Sequence, residues 1–199
     1  MRQSTRDLVL IGLFGALWGA MEMTLGSYLH VLKVPFAGVI LSAIGITIAL
    51  VGARFLETRV AVFWIGIVTA LLKMLSLGGV VLNPMIGILA ESVLATLVLL
   101  LVGRDRRWKL TAAGAAAVFW NIIHPFFTQG ILAGAGMLTI YQRTVSKGAA
   151  LLGLNETAVF AVLAGLILIH LGAGAVAGVV AWEVGRAAAA RLRGLPTSQ

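Results

Sequence analysis

VVLNPMIGILAESVLATLVLLLV, residues Val80–Val102, is the stretch whose reading decides the fold class. It has the length of about 20 apolar residues that an α-helix needs to cross the hydrocarbon core of a bilayer. Five more runs come close to it: Leu8–Leu29, Val34–Ala53, Val60–Leu77, Leu110–Ile131 and Ala158–Trp182. Only short hinges separate most of them. The expectation is an all-α integral membrane protein, a single domain over residues 1–199 with six transmembrane helices.

Composition agrees. The chain is 60% hydrophobic and 11% charged, with a mean hydropathy of +1.05, outside the range of soluble domains. Its glycines and alanines suit helices that approach closely in lipid. The opening MRQSTRD leads directly into the first run, which lacks the small-residue cleavage site of a signal peptide and reads as a retained span. Cysteine is absent, which removes disulfides, thiolate catalysis and thiolate metal sites.

The net charge of +8 has a sidedness. Six crossings from a cytoplasmic N-terminus put Arg2, Arg6, Arg54, Arg59, Arg104, Arg106, Arg107, Lys109, Arg186, Arg191 and Arg193 inside. Lys33, Lys73, Arg143 and Lys147 are left on the outer side. This is the positive-inside pattern, so both termini are expected in the cytoplasm and the basic excess reads as topology, with no nucleic-acid partner. The loops are uneven as well. Arg54–Arg59 and Gly103–Lys109 are minimal, whereas residues 132–157 form a long outer stretch whose Leu138, Ile140, Tyr141 and Leu151 favour a cap across the outer mouth.

Ionisable residues inside the runs carry the functional signal. Each costs about 2.5 to 3.5 kcal/mol at mid-membrane, so Glu22, Lys73 and Glu91 uncompensated would cost roughly 8 to 10 kcal/mol together. They must pair, or face water or a ligand. With Asn83, Asn121 and His124 they share the outer half of the spans. Asn83, Gly87 and Glu91 recur at i, i+4, i+8 on one helical face, and Trp120, His124 and Thr128 form a similar stripe. An aromatic ring beside amide and imidazole groups suits a flat polar heterocycle. His30, near Tyr28 and Lys33, is placed to touch a substrate at the mouth. The candidate substrate-binding set is Glu22, His30, Lys73, Asn83, Glu91, Trp120, Asn121 and His124, against the plainer reading of a structural salt-bridge and hydrogen-bond network. His170, alone on an apolar helix, is expected to bond a neighbouring backbone or hydroxyl group and not a ligand.

No HExxH, P-loop, GxSxG or aspartate-rich motif occurs, so no catalytic residues, metal ligands or cofactor are expected. In the first run Gly12, Ala16 and Ala20 stand four apart as a flat stripe, about 120° around the helix from Glu22.

Six spans in about 200 residues, the Ala16/Ala20 pattern and the VLNPMIGILAESVLA segment together resemble the substrate-binding S components of energy-coupling factor (ECF) transporters. The resemblance implies a high-affinity subunit of an ABC-type importer in a prokaryotic plasma membrane. It captures a vitamin or related micronutrient from outside and delivers it inward with a transmembrane coupling subunit and two cytoplasmic ATPases. It also implies docking on the coupling subunit through Ala16 and Ala20, extended by Gly12. The family's nickel and cobalt members carry a histidine just behind the initiating methionine. This chain has MRQ there, which argues against a metal substrate. Glu22 and Glu91 suit a cationic ring and Lys73 a carboxylate. Two other classes stand beside this one: a proton-coupled secondary transporter using Glu22, Glu91 and His124 as a relay, and a membrane enzyme acting on lipid or isoprenoid substrates.

Overall fold

Lipid offers no partner to a backbone amide, so a chain this apolar must satisfy its backbone within helices. The computed structural model does so. It describes residues 4–75 and 82–193, with the side chains of His30 and Arg193 outside that set. Helix α1 spans Thr5–Val31, α2 Ala37–Ala53, α3 Ala61–Lys73, α4 Leu82–Val102, α5 Arg107–Pro125, α6 Met137–Leu152 and α7 Val159–Arg193. A π-helical stretch, Phe126–Leu132, continues α5. No strand occurs among the described residues.

Among the described residues four helices are long and apolar enough to cross a membrane: α1, α4, α5 with its continuation, and α7. The expected crossings Val34–Ala53 and Val60–Leu77 appear as shorter helices of 17 and 13 residues. At 1.5 Å per residue these measure about 26 and 20 Å, against a hydrocarbon core of about 30 Å. Pro35 and a left-handed Phe36 (φ 57°) delay the start of α2. After Lys73 the chain turns through Met74 and Leu75, and the expected end of the third run lies outside the described residues. In the other direction, α7 runs on from the expected end at Trp182 to Arg193. Its alanine-rich AAAARLR tail holds no proline to stop it.

Helix α2 is the hub. It touches α1, α3, α4, α5 and α7, and these follow one another around it. Trp18 of α1, fully buried, lies flat over Gly45 of α2. The most extensive seam joins α5 to α7. A Cβ on Gly114 would overlap the Gly174 carbonyl, and one on Gly174 would overlap that of Gly114. Only glycine permits this backbone approach.

The two ends of the bundle differ in construction. At the arginine end, Ser4 Oγ accepts the Asp7 amide at 3.2 Å, as an N-cap does. Asp7, 2% exposed, accepts the amides of Glu57 and Thr58 at 3.2 and 3.3 Å. Arg104 donates to the carbonyls of Ala53, Thr58 and Glu57 at 2.6, 3.1 and 3.1 Å. Burial lowers the Arg104 guanidinium from its ordinary range, and Asp7 opposes that shift. The Arg54 guanidinium stacks 4.0 Å over the Trp182 ring. At the cap end, part of the 132–157 stretch is the amphipathic helix α6. Its Ile140, Val145, Gly148 and Ala149 are buried, while Gln142, Arg143 and Lys147 are exposed. Gly148 and Val145 pack on the α7 side chains Val162 and Leu166.

Candidate functional site

The i, i+4, i+8 face of α4 becomes one wall of an internal cavity of about 240 Å³ near the cap end. Asn83, Gly87 and Glu91 line it from α4, with Pro84 and Ile88 beside them. Glu22 and Gly26 enter from α1, Gly38, Leu41 and Ser42 from α2, Lys73 from α3, and Asn121 and His124 from α5. Six of the eight residues expected at a substrate site therefore share one chamber built by five helices.

Its charges are arranged in two layers. Nearer the α3 end, Lys73 Nζ lies 3.6 Å from Glu22 Oε2 and donates to the Glu22 carbonyl at 3.3 Å. Deeper along α4, Glu91 is 5% exposed. Asn121 Nδ2 donates to Glu91 Oε1 at 3.1 Å and to Ser42 Oγ at 3.0 Å, and Ser42 also bonds the Glu91 side chain. Glu91, Asn121 and Ser42 thus form a closed triangle across α4, α5 and α2. The sequence left the partner of Lys73 open between the two glutamates, and the structure gives it Glu22.

His124 stands over Gly87, whose added Cβ would meet the ring at an ordinary 3.6 Å. Its Nε2 is buried with no hydrogen-bond partner among the described residues, while the ring also bonds the Asn83 backbone. The helix changes character just beyond it. Pro125 has no amide to donate to the Asn121 carbonyl four residues back, and the chain runs on as π-helix. Such insertions recur at functional sites. Thr128 Oγ1 donates to the His124 carbonyl at 2.9 Å and steadies this stretch.

Trp120 was expected on the chamber wall and is not there. Its ring backs His124 at a centroid distance of 6.1 Å and meets Phe127 at 5.8 Å. Asn121 and His124 lie about 60° apart on the inward face, and Trp120 falls about 40° beyond His124 on the side away from Asn121, at the edge of that face. The His30 side chain lies outside the described residues. His170 is also away from this chamber: its Nδ1 donates to the Leu166 carbonyl at 2.6 Å. It lines a second cavity of about 250 Å³ beneath α6, which shares Gly38 and Asn121 with the first. Ser42 is the site residue the sequence reading missed. A lone serine in an apolar helix carries no signal beyond its polarity.

On α1 the small-residue stripe faces away from all of this. Ala16 and Ala20 are exposed, and nothing lies within 4 Å of a Cβ built on Gly12. Gly15 and Gly19 on the other face pack against Val68 and Leu72 of α3. No group of three His, Asp or Glu residues comes together as a metal site among the described residues.

No protein-family model matches the chain, and neither a curated protein nor a solved structure matches it. Fold and site define an all-helical, membrane-type bundle with a small, charged, partly enclosed chamber near one end.

Proposed function

We propose that this protein is the substrate-capturing subunit of an energy-coupling factor importer in a prokaryotic plasma membrane. In this reading all six apolar helices cross the bilayer, both termini are cytoplasmic, and α6 lies over the outer mouth. The observation that carries it is the chamber itself. Glu22, Lys73, Glu91, Asn121 and His124 are gathered from four helices around an internal space, where unpartnered charge would be costly in lipid. At roughly 30 Å³ per water, 240 Å³ holds about eight water-sized groups. That is room for a small heterocyclic micronutrient.

The exposed Gly12/Ala16/Ala20 face supports the second half of the reading. A flat helical surface lets another helix approach closely, as docking on a transmembrane coupling subunit requires. Two cytoplasmic ATPases would supply the energy, since the sequence carries no phosphate-binding loop of its own. The test separates capture from coupling. Ala16→Trp and Ala20→Trp should abolish uptake in cells that hold the ATPase module, while the purified variants keep their bound small molecule in native mass spectrometry. Uptake unchanged in both variants would remove the docking face from the account.

A further inference from the structure

We infer that the molecule held in the chamber is a small organic cation, an ammonium or a quaternised heteroaromatic ring, and that Glu91 is the carboxylate that meets its charge. This rests on the capture reading above and goes further by fixing the chemical class of the occupant.

The charge inventory of the wall leads there. Among the described residues three formally charged side chains line the chamber: Glu22, Glu91 and Lys73. Lys73 is committed to Glu22, through both its carboxylate and its carbonyl. A carboxylate-bearing ligand would have to draw Lys73 away from that partner and approach Glu91 as well. No Lys, Arg or His nitrogen among the described residues lies within 4.0 Å of a Glu91 oxygen. Residues 76–81, which fall outside that set, are SLGGVV and contain no cation; the side chains of Arg2, His30 and Arg193 also fall outside it. The groups on Glu91 are the neutral donors Asn121 and Ser42. A carboxylate that only accepts is the form such donors suit. With both glutamates ionised the wall carries one uncompensated negative charge.

Depth adds to this. Glu91 lies eight residues below Asn83 on α4, about 12 Å along the axis. A cation reaching it leaves bulk water for a site of lower effective dielectric, in which opposite charges attract more strongly. The His124 imidazole, with its Cε1 and Nδ1 above Gly87, sets a polar ring on the same wall. A ring nitrogen or amine next to a cationic centre would engage both groups at once.

The experiment uses the full-length protein purified gently in detergent, as wild type, Glu91→Gln and Glu91→Asp. Native mass spectrometry and accurate mass of the released compound identify what co-purifies. Thermal unfolding with thiamine and N-methylnicotinamide as cationic probes, and nicotinate and pantothenate as anionic ones, gives the charge preference. The expected result is a cationic compound on the wild type, bound at least about thirtyfold more weakly by Glu91→Gln and retained by Glu91→Asp. A neutral or anionic compound on the wild type overturns the charge assignment and leaves capture standing, whether or not the glutamine variant folds. No retained compound and no stabilisation by any probe overturns the capture reading and the charge assignment with it.

Discussion

The arginine end and the chamber end solve one problem in opposite ways. Both must accommodate ionised side chains against apolar helices. At the arginine end Asp7 and Arg104 are saturated by backbone amides and carbonyls from the loops they join. At the chamber end Glu91 is held by the neutral donors Asn121 and Ser42 with the like-charged Glu22 nearby, and His124 keeps a buried nitrogen without a partner among the described residues. The difference teaches where to look for function. Arg54 Nη1 at the arginine end is also buried without a hydrogen-bond partner among the described residues, but Asp7 and Arg104 tie loops together whereas Glu91 and His124 line an open chamber.

Breaking the framework should have the largest effect. Gly114→Leu forces a side chain into the Gly174 backbone and should cost about 3 kcal/mol or prevent folding, read from the thermal unfolding midpoint in detergent. Arg104→Ala should follow at about 2 kcal/mol, because three carbonyls lose a charged donor. Its binding of the co-purified compound should be unchanged, which sharpens the contrast between the two ends. Equal loss of binding and stability would show that the ends are not separable. Asn121→Ala should do the reverse, costing about 1 kcal/mol of stability but roughly tenfold in affinity, since it frees Glu91 from its positioning donor.

The smallest effect belongs to Asp105. Its carboxylate accepts from Lys109 at 2.6 Å, and that bond holds it below the usual carboxylate range. A carboxylate lowered on folding stabilises above its unfolded value of about 3.9, and that stability is lost as pH falls through the lower folded value. Wild type should therefore exceed Asp105→Asn slightly at neutral pH and converge with it near pH 3. A gap that widened on acidification would contradict the pairing.

The helical, membrane-type character was legible because apolar length is a direct physical requirement of lipid. The face carrying Asn83, Gly87 and Glu91 was legible because helical period is fixed. Element ends were not: Phe36 in a left-handed conformation and the turn after Lys73 shorten α2 and α3, and neither has a strong local signature. The chamber's polar set was largely visible from depth and phase. Its pairings were not, because Lys73 reaches Glu22 only through the way α1 and α3 pack. Ser42 and the aside position of Trp120 depend on rotations between helices that no single run encodes.

Pro125 gives α5 a mechanical consequence. Below it, glycine contacts weld the helix to α7 backbone against backbone. Above it the ladder skips a rung, and a helix bends most easily where a rung is missing. The helix is thus a stiff post with a soft joint, and His124 sits one residue below that joint. A bend at that joint would be felt first by one imidazole of the chamber wall, since the glycine seam lies on the other side of it.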